Sequence, residues 1–197
     1  ADHYIPGFYR EFSKKYPELA VKTNDAFEVL YNSDIGKVAR LMNSGLKDRV
    51  TNVMRMVWNL VAAKGPYDIL YENKSNLIMH KRFNYIYQKH KKFLKKAKEI
   101  GRQDSKLLFF QYGGEMSISS DLANELNYLF PKKIIVVVYV SGSKANISAR
   151  GKNVKKIILD SIKDFEGSTG GGHEDAVGAM IKLEDVERFN LKVEGLF

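Results

Sequence analysis

The stretch Ile134–Val140, with the sequence IIVVVYV, decides the fold of this chain. It is almost unbroken β-branched sequence, which is typical of a strand that is covered on both faces of a sheet. The apolar segment Lys106–Tyr112, KLLFFQY, predicts a preceding strand, and the stripe of Leu122, Leu126 and Leu129 predicts a short helix between the two. Strand, helix and buried strand together favour a right-handed β-α-β unit with parallel strands.

The sequence around this unit extends it into an α/β domain with a mixed sheet. Ser117–Ser120 supplies candidates for the N-cap of the short helix, and Phe130-Pro131 ends that helix. The downstream elements are expected as a hairpin turn at Ser141–Lys144, a strand over Ala145–Arg150, a helix over Asn153–Phe165, a glycine loop, a strand near Ala179–Leu183 and a short final helix.

The residues before the α/β domain have a helical period. Short helices are expected up to about Tyr71, and the longest of them ends at Gly65-Pro66. The apolar residues of that longest helix share one face, which we interpret as helix core: Val50, Val53, Met54, Val57, Leu60 and Val61.

Residues 77–100 predict one long amphipathic helix with a narrow apolar stripe. Eight Lys and Arg residues lie between Lys81 and Lys98. A narrow stripe favours a connector between two packed bodies or a helix that lies across one. The basic face is either solvated or in contact with nucleic acid. We expect a helical region over 1–75, a basic connector helix over 76–101 and an α/β nucleic-acid-binding domain over 102–197.

The composition of the 197 residues limits the class of protein. Hydrophobic residues make up 44% and charged residues 28%, as in an ordinary globular protein, and the formal net charge of +9 favours a polyanionic partner such as nucleic acid. The absence of cysteine excludes disulfides and thiolate metal sites. No apolar run approaches membrane-helix length and Ala1–Gly7 lacks signal-peptide features, so we expect an intracellular protein without membrane contact.

The sharpest local feature is the glycine-rich segment Gly167–Gly178, which contains Gly170-Gly171-Gly172-His173. Successive glycines let backbone N–H groups converge into an anion-binding nest, and a helical turn beginning at His173 would add to it. The adjacent acids Glu174 and Asp175 are then interpreted as a helix N-terminus. The segment matches neither the Walker nor the dinucleotide pattern, and a flexible connector with an incidental histidine is the alternative.

A second feature lies on the strand before the predicted helix. Ser148 and Arg150 share one face because side chains alternate along a strand, and Lys152 follows them. A hydroxyl and a guanidinium side by side suit a phosphate, whereas an exposed edge strand with polar residues is the commoner explanation.

Together these two features resemble the C-terminal, DHH-associated domain of the DHH phosphoesterase superfamily, which includes RecJ-type single-strand exonucleases and oligoribonucleases. The order of Ile147-Ser-Ala-Arg150, helix, Gly-Gly-Gly-His173-Glu-Asp-Ala-Val-Gly178 and strand is similar throughout residues 105–184. The resemblance implies that Ser148, Arg150, Gly171, Gly172 and His173 contact nucleic acid. We include Lys152 and Gly170 in the same predicted site.

The chain departs from the superfamily pattern in the residues that would hold metals. Catalysis in the superfamily resembles two-metal phosphodiester hydrolysis. The Asp and His side chains that hold the metals come from an N-terminal domain with Asp-x-Asp and Asp-His-His motifs. This sequence has four histidines and no Asp-x-Asp, and Asp2-His3-Tyr4 is at most a remnant of Asp-His-His. We therefore predict no catalytic residue and no metal ligand here, with Mn or Mg relevant only if a catalytic half exists outside this chain.

The resemblance is strongest to shortened archaeal RecJ homologues that associate with GINS. It implies a non-catalytic, single-stranded nucleic-acid-binding replication factor that works with GINS and the MCM replicative helicase, located in the cytoplasm at the nucleoid. One alternative is the C-terminal fragment of a metal-dependent single-strand-specific 5'-3' exonuclease or oligoribonuclease. Another, which rests on the glycines alone, is a module that binds a small phosphate or nucleotide.

Overall fold

The computed structural model describes residues 4–197, which form two compact units. Asp2 and His3 lie outside the described residues. One unit extends to Lys89 and the other runs from His90 to Phe197, so the boundary falls inside one long helix. The N-terminal unit contains α1 Tyr9–Lys15, a 3₁₀ turn Pro17–Leu19, α2 Ala26–Asn32, α3 Asp34–Gly45, α4 Val50–Ala62, α5 Tyr67–Leu70 and the start of α6 Leu77–Gly101.

The N-terminal unit is a set of short helices around a small apolar core. Asp25 caps α2 by accepting a hydrogen bond from the amide of Phe27, and Ser33 caps α3 by accepting one from Gly36. Six buried apolar side chains form the core: Leu19, Val38, Met56, Ile69, Leu70 and Met79. The predicted short helices are confirmed.

Helix α4 is where the sequence interpretation of a core face is wrong. Met56 is its buried residue, with Val53 and Leu60 partly buried against the core. Val50 and Val61, which the apolar stripe assigns to the core, are 76% and 74% exposed. An apolar stripe identifies one face of a helix, but it does not say whether another element covers that face.

The C-terminal unit is an α/β domain, which confirms the predicted fold class. It contains the remainder of α6 followed by β1 Leu107–Gly113, α7 Ser119–Leu129, β2 Ile134–Ser141, β3 Lys144–Arg150, α8 Val154–Ile162, β4 Thr169–His173, β5 Ala176–Lys182, a 3₁₀ turn Leu183–Asp185 and α9 Val186–Glu194. The strand order is β1-β2-β3-β5-β4. The pair β1–β2 is parallel and the other pairs are antiparallel, so the sheet is mixed.

Each face of this sheet is covered differently. Helices α8 and α9 pack on one face, called here the closed face, over inward side chains of β3 and β5 that include Ile147, Ala149 and Ile181. Helix α7 packs on β2 and β3 of the opposite face, called here the α7 face. All five residues of β4 are exposed, as is Gly178 of β5.

Three local expectations in this unit are corrected. The glycine segment is the edge strand β4 rather than a loop, because Thr169–His173 pairs along its length with β5. Glu174 and Asp175 form the turn between these strands and do not start a helix. The N-cap of α7 is Ile118, whose apolar side chain cannot cap the helix, and the neighbouring hydroxyl of Ser119 is bonded to Ser148 of the sheet.

Candidate functional site

The register of the sheet brings the residues of the two sequence motifs onto one surface. Ser148 pairs with Gly178, which pairs with Gly171, and further along the strands Arg150 pairs with Ala176, which pairs with His173. Residues opposite each other on neighbouring strands point to the same face. These six residues therefore share the α7 face at β3, β5 and β4, and we call this surface the open face.

The three glycines of β4 lie in different surroundings, so a side chain would have a different effect at each position. A Cβ at Gly171 would meet nothing within 4 Å, so this residue keeps the open face flat. A Cβ at Gly170 would lie 2.8 Å from Leu159 and 3.0 Å from Ile162, so this residue lets β4 approach α8. Gly172 has φ +146°, and its Cβ would lie 2.3 Å from the carbonyl oxygen of Ala176. Gly171 thus belongs to the exposed surface. Gly172 is required by its backbone conformation, and a side chain at Gly170 would displace the ends of Leu159 and Ile162.

Arg150 is half-buried and held by three acceptors. Its Nε donates to Oδ1 of Asn124 at 2.7 Å, and its Nη1 donates to the carbonyl oxygens of Ala149 at 2.8 Å and Val177 at 3.4 Å. Burial lowers the pKa of the guanidinium. Nη2 makes no hydrogen bond to any residue from 4 to 197, so it is the nitrogen left for a ligand.

Ser148 is 9% exposed and is part of a chain of hydroxyl groups. Its Oγ lies 2.9 Å from Oγ of Ser119, which lies 3.1 Å from Oγ of Ser117. Strand β3 lies inside the sheet and not at its edge, so the exposed-edge explanation for these polar residues is wrong. A buried hydroxyl with a fixed partner stabilises the junction of α7 with the sheet.

The remaining predicted site residues, Lys152 and His173, are exposed. Beside them, the turn between β4 and β5 supports the start of α8. The carboxylate of Asp175 accepts from the amide of Asn153 at 2.8 Å, and the carbonyl of Glu174 accepts from the amide of Lys155 at 3.0 Å. The two acids therefore hold the N-terminal turn of α8 beside the open face.

The other described histidines, His80 and His90, make polar contacts with residues of the chain. His80 is buried and its Nε2 lies 2.9 Å from the carbonyl oxygen of Ile69. His90 lies 2.6 Å from the carboxylate of Glu125 on α7. The described residues contain no group of three or more His, Cys, Asp or Glu that could hold a metal ion. They do not fit a two-metal centre, and we assign no metal chemistry to them.

Sequence reasoning missed three residues of this surface: Ser119, Asn124 and Gly178. Asn124 carried a usable signal, because asparagine competes with the helix backbone for hydrogen bonds and is unfavourable in the middle of a helix such as α7. Gly178 belonged to the motif, yet only the strand register shows that it separates Ser148 from Gly171.

The comparisons with known proteins agree with this architecture. Residues 104–197 match the family model described as the DHHA1 domain. This match supports the resemblance of residues 104–197 to the C-terminal domain of the DHH superfamily. No curated protein sequence matches the chain.

Solved structures with a similar fold include two RecJ proteins and one phosphodiesterase. RecJ from Thermus thermophilus in complex with Mg2+ has 14% identity and a TM-score of 0.63 over 95% of this chain. An exonuclease RecJ bound to manganese has 14% identity and a TM-score of 0.62 over 95%. The pGpG-specific phosphodiesterase PggH from Vibrio cholerae has 17% identity and a TM-score of 0.55 over 98%.

The similarity to these structures covers residues of both units. Sequence identities of 14–17% show a shared fold and do not show a shared function. The chain spans 27% of the Thermus RecJ, 44% of the manganese-bound RecJ and 68% of PggH.

Proposed function

We propose that this chain binds single-stranded nucleic acid through the open face of its C-terminal sheet. The observation that carries the proposal is Arg150, which is fixed by three acceptors and keeps Nη2 for a ligand beside a flat glycine surface. Arginine donors match the geometry of phosphate oxygens, and absent side chains at Gly171 and Gly178 let a sugar-phosphate backbone approach closely. Ser148, Lys152 and His173 complete the proposed site, and Gly170 and Gly172 shape the strand that presents it.

The net charge of the chain is consistent with this ligand. The formal charge is +9, and exposed lysines such as Lys91, Lys92, Lys95 and Lys96 lie on α6. Contacts of this kind supply affinity without sequence preference and make binding weaken as salt concentration rises.

The wider role that we propose is that of a non-catalytic, RecJ-like replication factor. It would act with GINS and the MCM helicase in the cytoplasm, at the nucleoid. This role rests on the resemblance and on the RecJ-like fold. None of the helices between residues 4 and 197 has the length and hydropathy needed to cross a bilayer.

Binding is tested by the fluorescence anisotropy of a 5'-fluorescein-labelled oligothymidylate in a salt series. We expect Arg150→Ala to weaken binding about 10- to 100-fold, because it removes a charge-assisted hydrogen bond to phosphate. Arg188→Ala, which removes an equal charge from the exposed surface of α9, is the matched control. Equal affinities for wild type and Arg150→Ala, or no binding at low salt, contradict the proposal.

The replication role has a separate test. Purified GINS is passed over the immobilised full chain, and retention of GINS by wild type and by Arg150→Ala alike is expected if the protein contact lies outside the open face. No retention by either protein removes GINS from the proposal and leaves nucleic-acid binding intact.

The second candidate is part of a metal-dependent exonuclease or oligoribonuclease. It is favoured by the fold shared with an exonuclease RecJ and with the phosphodiesterase PggH. Its test is degradation of a labelled single-stranded DNA by this chain in the presence of Mn2+. Cleavage that requires Mn2+ and disappears with a chelator would replace the non-catalytic role by this one.

A further inference from the structure

Helix α7 contributes a polar residue to the open face, although that face is otherwise built from strands. Asn124 is half-buried in the middle of α7 and lies 26 positions from Arg150 in the sequence. Its Oδ1 accepts the hydrogen bond from Arg150 Nε at 2.7 Å, the shortest of the three bonds that hold the guanidinium. The helix therefore determines how Arg150 is oriented on the sheet.

This hydrogen bond also fixes the amide of Asn124. Because Nε of arginine only donates, the atom of Asn124 that faces it must be the oxygen, and Nδ2 points elsewhere. Nδ2 makes no hydrogen bond to another of the residues 4–197. The pair thus has two donor groups left, Nδ2 of Asn124 and Nη2 of Arg150, carried by side chains that touch each other.

A flexible arginine would lose side-chain entropy when it binds a ligand. The bonds to Asn124, Ala149 and Val177 order the Arg150 side chain during folding instead, so that binding has less freedom left to remove. Of these three acceptors, two are backbone carbonyls that no substitution removes. Asn124 is the side chain through which the orientation of Arg150 can be changed by mutation.

We propose that Asn124 is a positioning residue for Arg150 and also adds an amide donor to the same anion site. Its Nδ2 donates a hydrogen bond to a phosphate oxygen of single-stranded nucleic acid. This inference rests on the proposed function. It extends the site from the strands to α7. The anion then has two side-chain donors, the guanidinium of Arg150 and the amide of Asn124.

The test measures oligothymidylate affinity at several salt concentrations for Asn124→Ala, Asn124→Asp and the control Asn127→Ala on the same helix. We expect Asn124→Ala to bind about 10-fold more weakly with an unchanged salt slope, since no charge is lost. Asn124→Asp puts a carboxylate against Arg150, so we expect about 100-fold weaker binding and a salt slope smaller by about 0.7. Asn127→Ala is expected to bind as wild type does.

A double-mutant cycle separates positioning from a merely structural role. In the Arg150→Ala background, Asn124→Ala is expected to cost less than about 3-fold, because most of its effect passes through Arg150. A full 10-fold cost in that background, or wild-type binding by Asn124→Ala when Arg150→Ala is defective, overturns the inference alone. Absence of binding by wild type overturns the proposed function and this inference with it.

A measurement without nucleic acid keeps the inference open to refutation. The Arg150 Nε–H signal in NMR spectra of the full chain is expected to exchange with water at least about 10-fold faster in Asn124→Ala than in wild type, since its acceptor is gone. Equal exchange rates would show that Asn124 does not hold the guanidinium, and would overturn the inference whatever the affinities are.

Discussion

The two faces of the C-terminal sheet differ in what covers them. The closed face contributes Ile147, Ala149 and Ile181 to one apolar core with α8 and α9. On the opposite face, the rows through Ser148 and Arg150 continue across exposed glycine and histidine positions of β5 and β4. Neighbouring residues of a single strand, such as Ala149 and Arg150, are therefore expected to serve stability and binding respectively.

The comparison teaches that alternation along a strand separates the two roles. Substitutions on the closed face should lower stability, and substitutions at the exposed positions of the open face should change binding with little change in stability.

The strongest contrast is between two adjacent residues of β3. Ile147→Ala should lower the free energy of unfolding by about 3 kcal/mol, because Ile147 is buried in the closed-face core and the substitution leaves a cavity. Asn146→Ala, on the opposite face and only half-buried, should change it by less than about 0.5 kcal/mol. Urea unfolding followed by circular dichroism measures both, and equal losses would contradict the separation.

A second contrast uses neighbouring glycines of β4. Gly172→Ala should cost about 2 kcal/mol of stability, because its φ of +146° disfavours a side chain and the Cβ would clash with the carbonyl of Ala176. Gly171→Ala should be close to neutral in stability, since its Cβ enters open space. Thermal unfolding compares them. A destabilised Gly171→Ala would show that this position is not the flat surface described above.

A smaller effect is expected where α7 meets the sheet. Ser119→Ala should lower stability by about 1 kcal/mol, because it leaves the buried hydroxyl of Ser148 without its Ser119 partner. The double variant Ser119→Ala, Ser148→Ala should lose less than the sum of the single variants, since neither hydroxyl is then left alone. Additive losses in chemical denaturation would refute the coupling of the two serines.

The smallest effect is expected in the N-terminal unit, on the exposed side of α4 that carries Val50, Trp58 and Val61. Trp58 is 67% exposed, so Trp58→Ala should change the free energy of unfolding by less than about 0.5 kcal/mol. Trp58 is the single tryptophan, so the variant has no tryptophan fluorescence and its unfolding is followed by circular dichroism. A loss near that of Ile147→Ala would mean that this side of α4 is buried.

The fold of the C-terminal unit follows closely from its sequence. The β-branched run of β2 and the apolar β1 predict a parallel pair, and the structure shows one. The hairpin from β2 into β3 is also confirmed. These elements are predictable because local propensity, periodicity and burial all agree there.

The glycine segment is less predictable, for a physical reason. Residues 169–173 have little β-propensity and lack side chains that alternate between faces, so no sequence period marks them as a strand. They form β4 because β5 offers its unpaired edge and Gly170 can approach α8. Tertiary contacts, and not local preference, determine this element.

The site is predictable in its residue types and not in its geometry. Alternation along β3 predicts that Ser148 and Arg150 share a face, and the structure places them so. The contribution of Asn124 depends on how α7 crosses β3, which no pattern within α7 or β3 contains. The apolar face of α4 is misassigned for a related reason, because amphipathicity does not reveal which element covers a helix.

The main proposal is that nucleic acid is held by the open face, with the lysines of α6 adding only charge-dependent affinity. It is tested most directly by titrating the isotope-labelled full chain with oligothymidylate and following amide and side-chain NMR signals. We expect saturable shifts concentrated at Gly171, Gly178, His173 and the Arg150 side chain. Shifts confined to α6, with the open face unchanged at saturation, would contradict it.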